Sequence, residues 1–527
     1  MEQRGEGVSL KWKIRLKRNE TLVFRGDRGI ITIYCRTFLS NVLFRPKRES
    51  CFESVLVMQR KRYQIDMCSG PLWNRILLFA LPLMASSMLQ LLFNAADVVV
   101  VGRFAGKEAL AAVGSNGALI NLMVNLFVGL SVGTNVVVAR DLGAGRLDSV
   151  RRSVHTSVAV ALVSGVALMI FGGIMVRQLL EWMSSPTDVI ELATIYLRIY
   201  FLGMPANLLY NFGAAILRAQ GDTRRPLYYL TAAGVINVVL NLFFVIVVGI
   251  DVAGVALATI ISQYISAILV LRCLMRESGP LHLDLKQLRL DWPVVGNIFQ
   301  VGLPAGFQGV LFSLSNVVIQ SALNSFDDPV IVAGSAAAAN IESFTYVAMS
   351  AFHQAAITFV GQNYGAGKCE RVDRVAWQCL GYVILVGLVF GNLTYFFGRE
   401  LVSVYAPGEP EVIEEAMIRL GYISRPYFIA GIMDVMVGLL RGLGYSVAPM
   451  VVSLAGVCGL RLVWVATVFQ MYRTPAALFL SYPITWALTA LIHGLLFLFI
   501  RKRAYSIVRG SSYEKVQGGH PSTAVEQ

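Results

Sequence analysis

Charged side chains are scarce in this chain, 15% of 527 residues against roughly a quarter in soluble domains. That scarcity excludes an ordinary water-soluble globule. Paired cysteines are missing too. The seven cysteines stand apart at 35, 51, 68, 273, 369, 379 and 458, with no CxxC and no Cys/His cluster. Neither a disulfide framework nor a zinc site is indicated. There is no HExxH, no GxSxG and no carboxylate pair beside a catalytic base, so no enzyme constellation is present. The glycine-lysine step in "FVGQNYGAGKCERVDRV" (359–375) lacks phosphate-loop spacing. Five residues separate Gly361 from Gly367, and Cys369 follows Lys368 where magnesium binding needs a hydroxyl. The polar-apolar alternation of an outer-membrane barrel is absent.

Long apolar runs are what the chain has in their place. Hydrophobic residues make up 56% and mean hydropathy is +0.63. Many runs exceed the roughly 20 residues that a bilayer-spanning helix needs. Twelve spans are expected, at 75–101, 108–139, 150–180, 188–217, 226–249, 252–275, 292–325, 329–362, 373–398, 411–440, 446–470 and 475–500. The fold class is therefore all-α integral membrane. Residues 277–291 are polar and amphipathic, and they divide a lobe at 70–276 from one at 292–505.

Charge is unevenly placed. Residues 1–66 hold 15 Lys/Arg and 7 Asp/Glu, a net +8 of the total +13. They contain no apolar core long enough for a signal peptide and read as an unstructured extension. Met58 opens "MQRKRYQIDMCSGPLWNRILLF", which reads like a natural beginning. The polar tail 506–527 is likewise expected to be disordered. Between spans, cation-rich connections (Arg140 to Arg152, Arg218 to Arg225, Lys368 to Arg374, Arg501 to Arg503) alternate with acidic ones such as Asp251, Asp327 and Glu409. The positive-inside rule puts the cation-rich set and both termini in the cytoplasm of a multi-pass cell-membrane protein.

The two lobes repeat one another. "VARDLGAGRLDSVRR" (138–152) matches "VGQNYGAGKCERVDR" (360–374), and Gly143 and Gly365 are 222 residues apart. Pro82 and Pro304, and Asn94 and Asn316, keep the same offset. "LRAQGDTRRP" (217–226) matches "LRGLGYSVAP" (440–449) at 223. Equivalent positions are an even number of spans apart, so the repeats run parallel, an arrangement that places substrate sites between them. The doubled glycines are expected to turn the chain tightly between spans two and three of each lobe.

Acids within spans carry most functional information, because an ionised carboxylate at mid-bilayer costs about 2.5–3.5 kcal/mol. Gln90, Asn94 and Asp97 lie at i, i+4 and i+7, one helical face, downstream of Pro82. Asn211, Asn237, Asn241 and Thr259 extend the polar set in the first lobe. In the second, the repeat places Ile319 where Asp97 stands, and the acids are Glu342 and Asp434. Glu342, Tyr346 and His353 stack along one helix face. Asp97, Glu342 and Asp434 are the candidate ion-coupling groups. The others, Tyr346 included, are candidate cleft residues, with helix–helix hydrogen bonding as the alternative. The deep charges identified are mostly acidic, which favours cationic cargo.

"LPLMASSMLQLLFNAADVVVVGRFAG", the doubled "GAGR/GAGK" and "LRAQGD/LRGLG" resemble the multidrug and toxic compound extrusion (MATE) family over about 70–505. The resemblance implies two six-helix bundles around a central cleft. It implies export of cationic or amphipathic organic compounds against H+ or Na+, with no cofactor and no nucleic acid. The family's helix-one acid matches Asp97, and the polar residues around it match Gln90, Asn211, Asn237 and Thr259. A second acid, in helix five, falls on Asn241, a departure. A helix-seven glutamate has no counterpart between Pro304 and Phe326, whereas the helix-ten acid matches Asp434. Sodium would sit at Asp97 or at Glu342 and Asp434. A monomer is expected. The alternatives are a lipid-linked precursor flippase, a passive channel and a membrane enzyme.

Overall fold

The structure, a computed structural model, describes residues 13–17, 21–26, 29–34, 63–104, 106–182 and 187–517. It divides into two units, Met1–Arg62 and Tyr63–Gln527. The first holds a three-stranded antiparallel sheet in the order β1 (Lys13–Lys17), β2 (Thr21–Gly26) and β3 (Gly29–Tyr34), with Lys13 opposite Arg25 and Gly26 opposite Gly29. These strands fall within the segment 1–66 that the sequence was expected to leave unstructured. Their sequences, "TLVFRG" and "GIITIY", are rich in β-branched and aromatic residues, and only two residues separate them.

The second unit is helical. Ten of its helices are long and apolar enough to cross a membrane, and two bent pairs bring the total to twelve, among the described residues. The first lobe comprises Leu72–Phe104, Gly106–Gly143, Leu147–Trp182, the pair Thr187–Leu202 and Met204–Ala219, Arg224–Leu242 and Asp251–Arg276. The second comprises Trp292–Asn324, Pro329–Gly365, Cys369–Phe396, the pair Pro410–Ile423 and Tyr427–Gly442, a segmented helix beginning with Val447–Ser453, and Pro475–Gln517. These are spans one to twelve below. Spans four and ten each bend by 47°. The breaks fall at Gly203 to Pro205 and at Ser424 to Pro426. A proline removes a backbone donor there and leaves the preceding turn unable to continue straight. Span twelve runs on to Gln517, so the tail is helical to that point, and Gly518-Gly519 follows in the sequence.

The glycines of the repeated motif have separate tasks. Gly145 and Gly367, with φ +68 and +72, make the turns. Gly143 and Gly365 are helical, and they bring spans two and eight together at the cation-rich end. A Cβ on Gly143 would strike the Gln362 carbonyl oxygen, and one on Gly365 would strike that of Arg140. Both pairs obey the 222-residue offset, so the contact is reciprocal between repeats. Further along, Gly129 and Gly133 of span two meet Gly306 and Gly302 of span seven, backbone to backbone. The lobes are therefore closed against each other from Gly143 back to Leu126, roughly 25 Å of helix at ~1.5 Å per residue.

The segment before span one is part of this closure. Met67 is fully buried in a core cluster with Phe79, Phe352 and Phe359. Lys368 Nζ donates to the Cys68 carbonyl at 2.8 Å, and Arg371 donates to the carbonyls of Met67 at 3.1 Å and Gly70 at 2.9 Å. The cations that frame the second glycine turn thus hold a strand of backbone. The inter-lobe linker is also fastened. Leu281 and Leu283 are buried against the first lobe, and the Asp284 N–H donates to His155 Nε2 at 3.1 Å.

Candidate functional site

Two cavities among the described residues, one in each lobe, bring polar side chains of the spans together. The first-lobe cavity, about 270 Å³, is lined by Gln90, Asn94, Asp97, Asn211, Asn237 and Thr259, together with Ser350 and Gln354 from span eight. Span one supplies the first three because i, i+4 and i+7 share a face. Asn241 stands behind Asp97, fully buried, and donates its amide Nδ2 to the Asp97 carboxylate. The network continues to Asn237 Oδ1 at 3.4 Å, and from Asn237 Nδ2 to Thr259 Oγ1 at 3.5 Å. The Thr259 hydroxyl donates onward to the Val255 carbonyl at 2.9 Å. Asn211 donates to the Asn207 carbonyl at 2.9 Å.

Two features make Asp97 chemically distinctive. No arginine or lysine pairs with it among the described residues, so its only side-chain partner is a neutral amide. In addition, Asn241 Oδ1 is buried without a hydrogen-bond partner. The Asn241 amide thus turns its nitrogen to the carboxylate and keeps an unused oxygen within the same buried cluster.

The second-lobe cavity, about 580 Å³, holds Glu342, Tyr346 and Asp434. It is the repeat counterpart of the first. Phe312, Asn316 and Ile319 of span seven line it at the 222-residue offset from Gln90, Asn94 and Asp97. Its charges come from other helices. Glu342 is buried and ion-paired to Arg419 of span ten at 2.9 Å, and Arg419 also donates to Ser335 Oγ at 2.7 Å. Glu342 is therefore neutralised where Asp97 is not. Asp434 forms no ion pair with Arg441 seven residues on, whose Nη2 donates instead to Gln308 Oε1 at 2.8 Å. His353 lies outside the cavity, and its Nδ1 bonds the Asp434 backbone carbonyl at 2.6 Å, a tie between spans eight and ten.

Two residues in this cavity were not anticipated, Arg419 and Arg461. Both fall inside expected spans, 411–440 and 446–470. The signal that marks them is an arginine within an apolar run, which costs as much to insert as a carboxylate does. With them the cavity is no longer mostly acidic: Glu342 and Asp434 face Arg419 and Arg461.

The MatE family model matches residues 82–243 and 304–467, one copy in each lobe and more than half of the chain. The chain belongs to the MatE family. Among relatives, the probable multidrug resistance protein YoeA of Bacillus subtilis is 26% identical over 431 residues, covering 80% of this chain and 92% of that one. The FAD transporter of Shewanella oneidensis is 24% identical, covering 74% and 86%. A solved structure of a MOP superfamily transporter from Pyrococcus furiosus superposes with a TM-score of 0.78 at 20% identity. It covers 83% of this chain and 98% of that one, and it is described as having a binding pocket of reverse polarity that suggests a different function. The MatE membership makes this a multi-pass membrane transporter, not an enzyme.

Proposed function

We propose that the protein is a secondary antiporter that exports amphipathic organic compounds in exchange for H+ or Na+, with Asp97 as the coupling carboxylate. The observation that carries this reading is a span-one acid that lines a cavity with no ion pair among the described residues and a neutral amide as its hydrogen-bond partner. Such a group can be occupied by an ion or face a cationic cargo, but not both at full strength, and that exclusion is what antiport requires. Asp434 would contribute a second titrating or cargo-facing group. Glu342, held by Arg419, would be chiefly architectural. The distribution of cations supports a cytoplasmic location for both termini. With that orientation, the lobe contacts at the cation-rich end seal the cytoplasmic side.

The energetics suffice without ATP. One inward proton contributes about 1.4 kcal/mol per pH unit and about 2.3 kcal/mol per 100 mV. Together these support an accumulation on the order of a hundredfold. The test is uptake of a cationic dye into inverted vesicles under imposed gradients. Uphill uptake driven by a pH or a sodium gradient, and collapsed by the matching ionophore, is expected, and the effective gradient names the ion. Equal equilibration without a gradient would identify a channel instead.

A further inference from the structure

Arg461 is an unpaired cation in a closed place. Its relative exposure is 3%, and its Nε is buried with no hydrogen-bond partner. No carboxylate lies within ion-pair distance of it among the described residues, since Glu342 is already engaged by Arg419. Its recorded support is the ring of Tyr482, with the guanidinium carbon 4.1 Å from the ring centroid. A cation–π contact offsets only part of the cost of removing a guanidinium from water. The side chain nevertheless lines the second-lobe cavity, where an anion could meet it.

The surrounding wall is aromatic. Trp486 packs against Tyr427 at 5.3 Å and against Tyr482 at 5.5 Å between ring centroids. The cavity, about 580 Å³, falls in the range that encloses a drug-sized molecule. Its formal charges balance, two acids against two arginines, and Arg441 lies buried just beyond Asp434 on the same helix. A ligand carrying only positive charge would leave Arg461 without a partner.

We propose that the second-lobe cavity is a subsite for aromatic organic anions, with a carboxylate, sulfonate or phosphate bound to Arg461 and the ring system laid against Trp486 and Tyr427. The subsite rests on the transporter reading only in that the bound molecule is cargo. The two lobes then differ in what they accept. Asp97 faces cations in the first, and Arg461 faces anions in the second. Cargo bearing both charges, or a large planar anion, is accommodated by the same molecule.

The test uses the purified full-length protein and two dyes of one ring system, fluorescein (an anion at mildly alkaline pH) and tetramethylrhodamine ethyl ester (a cation). Affinity is read by fluorescence anisotropy. Arg461→Gln should weaken fluorescein binding by at least about tenfold, leave the rhodamine ester within twofold or tighter, and be largely rescued by Arg461→Lys. Unchanged fluorescein affinity, or an equal loss for both dyes, would overturn the subsite. A second measurement needs no variant. Naphthalenesulfonate should displace fluorescein from the wild-type protein and the uncharged naphthylmethanol should not, whereas equal displacement would also overturn it. Both readouts are equilibrium binding without a gradient, so they stand or fall separately from ion-coupled export.

Discussion

Asp97 and Glu342 are both membrane acids, yet their surroundings assign them different work. Asp97 has an amide for a neighbour, and Glu342 has a guanidinium held at 2.9 Å with a serine behind it. Removing one partner of a buried ion pair strands the other charge, at a cost of about 3–5 kcal/mol, whereas removing both costs little. Glu342→Gln and Arg419→Gln should therefore each lower the thermal unfolding midpoint of the purified protein markedly. The double variant should recover most of that loss. If Glu342→Gln melts like the wild type but loses ion-driven export, the glutamate is a coupling group after all. Asn241→Leu keeps bulk but removes the amide that bonds Asp97. It should leave the protein folded and alter the ion dependence of export, measured in vesicles.

Elements show what the glycines and the N-terminal segment do. The reciprocal Gly143 and Gly365 contacts allow no side chain, so Gly143→Val should pry spans two and eight apart at the cation-rich end. Cys68 reports on that event. Its thiol is partly buried near Gln362, and desolvation pushes its pKa upward, which keeps the reactive thiolate scarce at neutral pH. In a variant with Cys68 as the sole cysteine, Gly143→Val should speed maleimide labelling. An unchanged rate would mean that the contact does not hold the closure. Deleting residues 1–57 should leave stability and export intact, because it spares Met67 in the core and the carbonyls that Lys368 and Arg371 hold. Deleting 1–70 should destabilise the protein, since it takes Met67 from the core and the carbonyl partners from Lys368 and Arg371.

Much of this architecture was legible in the sequence. The span positions followed from apolar length, and the repeat from motifs at a fixed offset. The breaks in spans four and ten were not drawn, although Pro205 and Pro426 sit in equivalent places 221 residues apart. Pro82 and Pro304 lie inside helices that continue past them, so a proline by itself does not mark where a span breaks. Gly143 was read as a turn residue because its motif sits at a connection. Its close approach to Gln362 depends on a partner 219 residues away, which local sequence does not reveal. In the polar set around Asp97, span one displays Gln90, Asn94 and Asp97 at helical spacing and span five displays Asn237 and Asn241, and helical spacing is a pattern that local sequence carries. The balance of charge in the second cavity was missed for a simpler reason, that the acids were counted and Arg419 and Arg461 were not.

For the whole molecule, the repeat yields two lobes with cavities in matching register but unlike chemistry. Span one presents Gln90, Asn94 and Asp97 to the first cavity, and span seven presents Phe312, Asn316 and Ile319 to the second. Only the asparagine is shared. Duplication built the frame, and the two cavities now differ in charge: Asp97 and Arg218 line the first, and Glu342, Asp434, Arg419 and Arg461 line the second. An exchange cycle needs the lobes to separate where they now touch and to close elsewhere, driven by an ion that binds one arrangement better than the other. The central claim is that Asp97 is where that ion acts. Its most direct test is one preparation of Asp97→Asn in vesicles, assayed for dye exchange without a gradient and for dye uptake with one. The variant should insert and exchange dye across the membrane while losing gradient-driven accumulation. Accumulation at the wild-type rate, with the same dependence on the imposed gradient, would contradict the account.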